Sequence, residues 1–215
     1  FSMTALKTID IPNSVVKIGA NAFDQCRVLE SINIPESVEE IGEYAFNGCW
    51  SLSSLTIPSN ITSIEDGTFR ECEKLETINI SEKVTHIGNH TFMNCKSLVR
   101  LTIPGNVEST GEFVFRFCDR LTDITCLATN PPTAKDFGFQ YGMMKTPTLH
   151  VLPGCKEAYE NAMYWQDLTI VDDAVAPTGI NATSATTKDA KIFSISGQRL
   201  PAPQKGINVV NGRKV

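Results

Sequence analysis

Apolar residues fall on a template of 23 positions that runs five times without a gap from Ile11 to Thr125. Ile11, Ile34, Ile57, Ile80 and Ile103 open the copies; Phe23, Phe46, Phe69, Phe92 and Phe115 hold one later slot, and Cys26, Cys49, Cys72, Cys95 and Cys118 another. Leu29, Leu52, Leu75, Leu98 and Leu121 follow, then Ile32, Leu55, Ile78, Leu101 and Ile124. Residues 1–10 make a partial copy, with Met3, Leu6 and Ile9 in the slots of Cys26, Leu29 and Ile32. A fixed period of roughly 20 to 50 residues with invariant apolar slots predicts a repeat solenoid, one coil per copy.

Each copy predicts the same local elements. In Leu29-Glu30-Ser31-Ile32-Asn33-Ile34-Pro35, Ile32 and Ile34 alternate with polar residues, which suits a strand with one buried face. Proline at 12, 35, 58 and 104 lacks an N–H and ends the ladder, with Ser81 in that place in the fourth copy. Val38-Glu39-Glu40-Ile41-Gly42 predicts a second short extended stretch that closes on a glycine able to take positive φ at a corner. That glycine recurs at 19, 88 and 111; in the third copy Glu65 fills the slot and Gly67 comes two residues later, predicting a rebuilt corner. Ala45-Phe46-Asn47-Gly48-Cys49 predicts one helical or 3₁₀ turn that directs Phe and Cys inward.

After Thr125 the period is lost. The stretch 126–173 carries Pro131-Pro132, an extended Thr148-Leu149-His150-Val151-Leu152-Pro153, and helical spacing from Lys156 to Trp165. Tyr159, Ala162, Met163 and Trp165 would form its apolar stripe, and Leu168-Thr169-Ile170-Val171 a final strand. The last coil of an array needs its core covered, so 126–173 is expected to be a C-terminal cap. Residues 174–191 offer almost nothing large to bury and read as a linker. In 192–215, two strand patterns and the Asn211-Gly212 turn signal predict a β-hairpin tail too short for a core of its own.

The spacing Val-x-x-Ile-Gly-x-x-x-Phe-x-x-Cys-x-x-Leu-x-x-Ile-x-Ile-Pro resembles the BspA-like bacterial subfamily of the leucine-rich repeat, over residues 1–125. The resemblance implies a right-handed solenoid with a parallel β-sheet on its concave face and 3₁₀ or helical turns on the other sides. It further implies a secreted or surface-held protein, some relatives being adhesins for host matrix or plasma proteins. The stretch 126–173 is similar to the closing segment of such arrays. Ser196-Gly197-Gln198-Arg199, Lys205-Gly206-Ile207 and Asn211-Gly212-Arg213-Lys214-Val215 resemble a remnant of the C-terminal sorting-type domains of secreted Bacteroidetes proteins, which implies export. A plain hairpin packed on the solenoid is the alternative.

Composition narrows the function further. A formal charge of −5 and a pI near 5.3 leave no basic stripe for nucleic acid. No apolar run approaches the ~18 residues that cross a bilayer. The chain starts inside a repeat, so its N-terminus is expected upstream, and the lack of a visible signal peptide does not argue for the cytoplasm. Of seven cysteines, five form one column. Stacked equivalents have parallel rather than converging Cβ vectors, and a column does not place four ligands around a point. The column is therefore expected to be a structural ladder of buried thiols, with no metal and no cofactor. Cys126 and Cys155 lie off it, and a bond between them stays open.

No catalytic motif appears, and no catalytic residue is assigned. His86 and His90 flank a corner and are expected on the solvated surface; His150 receives no role. Glu36, Glu39 and Glu40 read as an acidic, soluble rim. Binding is the expected function, and the outward strand positions are its first candidates: Thr8, Ser31, Ser54, Thr77, Arg100 and Asp123 in one column; Asp10, Asn33, Thr56, Asn79, Thr102 and Thr125 in the other. Arg100 and Asp123 stand out, with Asn33, Asn79 and Thr77 beside them. The bland alternative is Thr and Ser selected for strand propensity. A second candidate is the corner ridge of Tyr44 and Trp50, where Trp50 takes a slot held elsewhere by Arg27, Glu73, Lys96 and Asp119 and should be exposed. Phe113 and Phe117 on the same ridge should pack on the cap. The reading is non-catalytic recognition of an extracellular protein or glycan, adhesin-like; the alternative is a spacer presenting an upstream domain.

Overall fold

The structure, a computed structural model, describes residues 1–139 and 146–175, and beyond them only the strands at 192–194, 199–200, 208–210 and 213–214. Two compact units result, Phe1–Val175 and Ala176–Val215.

In the first unit each coil lays down two short strands. These are β1 (Thr8–Asp10) and β2 (Lys17–Ile18), β3 (Ser31–Asn33) and β4 (Glu40–Ile41), β5 (Ser54–Thr56) and β6 (Ser63–Ile64), β7 (Thr77–Asn79) and β8 (His86–Ile87), β9 (Arg100–Ile103) and β10 (Ser109–Thr110). β11 (Asp123–Cys126), β12 (Thr148–Val151), helix α1 (Lys156–Glu160) and β13 (Thr169–Val171) follow. Pairing is parallel and one coil apart: Thr8 sits beside Ser31, Ser54 beside Thr77, and Arg100 beside Asp123. This first unit is a parallel β-solenoid of about seven turns.

The sheet does not stop where the 23-residue period stops. β12 pairs with β11 (Thr148 beside Asp123) and β13 with β12 (Thr169 beside Thr148), both parallel. The closing segment thus adds two strands through one coil longer than 23 residues and one shorter. Its helix is shorter than the spacing predicts, ending at Glu160, so Met163 is 69% exposed instead of joining the apolar stripe.

The corners differ from the glycine expectation. Gly19, Gly42, Gly88 and Gly111 are not the residues at positive φ; Asn21 (φ 56), Tyr44 (53), Gly67 (60), His90 (57) and Phe113 (54) are. The glycine column exists for close approach instead. A Cβ on Gly42 would lie 2.6 Å from Ala20 N, and on Gly88 2.6 Å from Asp66 N, whereas on Gly19 it meets nothing within 4 Å. The third corner is not rebuilt: Gly67 N donates to Asn89 O at 2.8 Å as Tyr44 N does to Asp66 O at 2.9 Å. Glu65 does place a Cβ in the crowded slot. The second sheet is divided there, into β2–β4 on one side and β6–β8–β10 on the other.

Inside, like stacks on like. The rings of Phe23, Phe46, Phe69, Phe92 and Phe115 lie nearly parallel, with centroids 5.2, 5.8, 5.8 and 6.1 Å apart along the column. Each turn also bonds the next, as Phe46 N donates to Thr68 O and Phe69 N to Thr91 O. The column ends on Phe137 and Phe139, and Phe137 meets Trp165 edge-on at 4.8 Å. Trp165 is 1% exposed; its indole N–H donates to Pro132 O at 2.8 Å, and Tyr159 packs edge-on against it at 5.4 Å. In the second unit, four strands stand where one hairpin was expected. They are β14 (Ile192–Ser194), β15 (Arg199–Leu200), β16 (Asn208–Val210) and β17 (Arg213–Lys214), antiparallel in the order β15-β14-β16-β17. Val210 pairs with Arg213 on either side of Asn211-Gly212. Residues 176–191 of the expected linker, and the Ser196-Gly197-Gln198 and Lys205-Gly206-Ile207 stretches, lie outside the described residues.

Candidate ligand-binding face

Strand alternation turns Ile32, Leu55, Ile78, Leu101 and Ile124 toward the core and leaves their neighbours outside. Ser31, Asn33, Ser54, Thr56, Thr77, Asn79, Arg100 and Thr102 are exposed as a result. Arg100 and Asp123 meet in register, with Arg100 Nε 3.7 Å from Asp123 Oδ2 and side-chain exposures of 82% and 33%. Asp123 is held more firmly by others: Thr122 Oγ1 donates to Oδ2 at 2.7 Å, and His150 Nε2 lies 3.2 Å from Oδ1. The Thr122 and His150 hydrogen bonds hold the Asp123 carboxyl below its ordinary range. His150 Nδ1 in turn lies 2.7 Å from Asp173 Oδ1, and that bond raises the imidazole above its ordinary value.

Arg100, Asp123, His150 and Asp173 therefore form one chain of charges across β9, β11 and β12 and the segment after β13. His150 and Asp173 were not singled out from the sequence. The signal was present: the alternation in Thr148-Leu149-His150-Val151 puts His150 on the outward side once Leu149 is set beside Ile124. The other named residues do not join the cluster. Thr77 and Asn79 sit on β7, in the same outward columns as Arg100 and Thr102, and Asn33 two coils further back on β3.

Tyr44 and Trp50 belong to the corner ridge. Trp50 is 37% exposed and carries the Arg27 guanidinium 4.2 Å above its ring, so one face of the indole is already covered. The Tyr44 ring lies against Gly67, where an added Cβ would overlap it at 2.2 Å. Phe113 and Phe117 are half-buried beneath the Arg116 guanidinium, 5.4 and 4.8 Å from their centroids. His86 and His90 are not free surface groups: both are half-buried, His86 Nδ1 lies 2.8 Å from Ser109 Oγ, and His90 tilts against Phe113 at 5.7 Å. In the acidic rim, Glu36 accepts from Ser59 N–H and Oγ–H, which lowers its pKa, and Glu40 pairs with Lys17.

The cysteine column is buried and free of disulfides. Each thiol donates to a phenylalanine carbonyl of the preceding coil: Cys49 to Phe23 O at 3.2 Å, Cys72 to Phe46 O at 3.3 Å, Cys95 to Phe69 O at 3.2 Å and Cys118 to Phe92 O at 3.0 Å. Burial pushes Cys49 and Cys118 up to about 12 and Cys72 and Cys95 well above the ordinary thiol range. Cys126 and Cys155 are unbonded, Cys126 lying 3.1 Å from the Tyr159 hydroxyl. Among the described residues no group of three or more His, Cys, Asp or Glu could hold a metal ion, and no helix is long and apolar enough to cross a membrane.

A sequence model of the BspA-type leucine-rich repeat region matches six copies over residues 1–122. The chain belongs to the BspA-type leucine-rich repeat family. Solved structures of similar fold include the leucine-rich repeat protein TpLRR of T. pallidum, at 22% identity and TM-score 0.56, covering 78% of this chain and 70% of that one. The pneumococcal vaccine antigen PcpA is 18% identical at TM-score 0.53, with 79% and 56% coverage. A leucine-rich repeat protein of Bacteroides ovatus is 21% identical at TM-score 0.47, with 80% and 54% coverage. This BspA-type chain thus spans little more than half the length of the latter two. No curated protein sequence matches it.

Proposed function

We propose that this BspA-type chain is a non-catalytic recognition module, exported to or beyond a bacterial surface, that binds an extracellular protein or glycan through its outward sheet face. The observation that carries the reading is the convergence of Arg100, Asp123, His150 and Asp173 on a face whose outward positions on β3, β5 and β7 are small and neutral. Exposed charges in fixed register on the four-stranded sheet of β9, β11, β12 and β13 give a ligand an address that Thr and Ser alone do not. Catalysis fits poorly, because both ring nitrogens of His150 face carboxylates and neither is left for a nucleophile. The export half rests on family membership and on the tail's likeness to Bacteroidetes sorting-type segments.

The test is an array of extracellular matrix proteins and glycans probed with the chain and with an Arg100→Ala/Asp123→Ala variant. A ligand held by the chain and lost by the variant supports the reading. Silence from both, with both folded, leaves the chain as a spacer, a role that the uniformly small Thr, Ser and Asn columns on β3, β5 and β7 would also serve.

A further inference from the structure

His150 stands between two carboxylates, Asp173 Oδ1 at 2.7 Å from Nδ1 and Asp123 Oδ1 at 3.2 Å from Nε2. A carboxylate only accepts, so both contacts are hydrogen bonds only when the ring carries both protons. Neutral imidazole has one N–H. The shorter contact keeps it on Asp173, and Nε2 then turns a lone pair toward Asp123. Asp123 loses a donor, and the nearest cation to take its place is Arg100, whose Nε is 3.7 Å from Oδ2.

Among the described residues, the groups set beside the ring bring no competing charge. Its register partner on β11 is Thr125 and on β13 is Val171. Asp172 is turned away, with both oxygens on the Gly154 N–H at 3.0 and 3.1 Å. The protonation of His150 therefore decides how strongly Asp123 draws on Arg100. With the ring charged, Asp123 is satisfied by Thr122 and His150, and the exposed guanidinium keeps its outer N–H groups for a partner outside the chain.

We propose that Arg100 anchors a site for carboxylate-bearing glycans, open when His150 is protonated and closed by Asp123 when it is not. The proposal rests on the sheet-face reading above. A guanidinium presents paired N–H groups that match a carboxylate in a bidentate fork. Thr102 and Thr125 stand side by side on β9 and β11, and Thr77 and Asn79 hold the outward positions on β7 in the columns of Arg100 and Thr102, so hydroxyls and an amide that suit sugar hydroxyls line those columns. The outward columns carry no apolar side chain before Val171, so an acidic peptide would find no anchor pocket for its own side chains.

The probes are polygalacturonate, neutral dextran and poly-glutamate, tested for binding to immobilised chain at about pH 5 and about pH 8, the range over which imidazole changes charge. The chain should bind polygalacturonate and ignore dextran, and bind about fivefold more tightly at the lower pH, the scale of a weak coupling between sites. Arg100→Ala should abolish binding at both pH values. Asp123→Ala should keep binding and flatten its pH dependence, because the competitor is gone; His150→Gln should bind weakly throughout. An NMR titration of the unliganded chain should place the His150 pKa above that of a free imidazole and bring it down in Asp173→Asn. No polygalacturonate binding, binding that survives Arg100→Ala, preference for poly-glutamate, or a His150 pKa at the ordinary value would each overturn the proposal. A neutral ligand from the array that requires Arg100 and Asp123, with no polygalacturonate binding, removes this inference and leaves the sheet-face reading standing. Silence in both experiments removes both.

Discussion

Between Ile11 and Thr125 the Phe, Cys and Leu columns each repeat one residue type from coil to coil, with Phe on Phe at 5.2 to 6.1 Å and each column thiol donating to the carbonyl of a phenylalanine in the coil before it. Other buried columns exchange close equivalents, as Ala45, Thr68, Thr91 and Val114 do. From Cys126 to Val175 nothing repeats, yet β12 and β13 extend the same sheet in parallel register. There the core is a plug of unlike aromatics, Phe137, Trp165 and Tyr159, meeting edge to face. The regular part is stabilised by nearest-neighbour stacking that any one coil shares with two others. The closing segment depends on a few large side chains, of which Trp165 is anchored on Pro132 O and Tyr159 on Ala128 O and the Cys126 sulfur. The difference teaches that sheet continuity needs only strand register, while the side-chain layer beneath it can be rebuilt from other residues.

The sharpest way to break that comparison is to remove the centre of each region. Trp165→Ala takes out the plug and its bond to Pro132 O, and should cost about 3–5 kcal/mol in urea melts. Phe69→Ala should cost about the same, but hydrogen exchange should separate the two. Protection should fall around β12 and β13 in the first variant and in the middle coils in the second. One shared pattern of lost protection would erase the distinction between the regions. The corner glycines sharpen the account next. Gly88→Ala forces a Cβ to 2.6 Å from Asp66 N and should cost about 1–3 kcal/mol, whereas Gly19→Ala, with nothing within 4 Å, should stay within about 0.5 kcal/mol. Equal effects in thermal melts would mean that close approach is not what keeps that column glycine. Cys72→Ala loses a small buried group and its bond to Phe46 O, and should cost about 1–2 kcal/mol by the same melts.

The smallest expected effect lies where the two regions join on the surface. Because the folded pKa of His150 is raised, chiefly by Asp173, its contribution is complete below the ordinary imidazole value and disappears as pH rises through the raised one. The stability gap between the chain and His150→Gln should therefore be widest near pH 5 and close above neutrality. Solvent screening on these partly exposed groups keeps it to about 1 kcal/mol or less. A gap that grows with pH would reverse the assignment of the charged form. Asp123 has the opposite sign: its lowered pKa gives stability that is present at neutral pH and lost as pH falls through the folded value.

The coil, its strand and its buried columns were legible in the sequence because a repeat states each constraint five times. Corner geometry was less so. Glycine marks both positive φ and close approach, and only the neighbouring coil distinguishes Gly42, which is crowded by Ala20, from Gly67, which takes φ 60. Half of the candidate site was legible too, since Arg100 and Asp123 stand out against Thr and Ser. His150 and Asp173 were not, because a 25-residue step from Asp123 to Thr148 hides their register behind a broken period. The corner ridge was misjudged for histidine for a related reason: partners for His86 and His90 come from the next coil, at Ser109 and Phe113.

One measurement tests the central claim, that the sheet face and not the corner ridge is the recognition surface. Any ligand found on the array is titrated against three folded proteins: the unmodified chain, Arg100→Ala/Asp123→Ala, and Trp50→Ala. The account predicts that the double variant loses roughly tenfold or more in affinity, the scale of removing a central contact, while Trp50→Ala binds as the chain does. Loss on Trp50→Ala with the double variant unchanged would contradict it and move the site to the ridge.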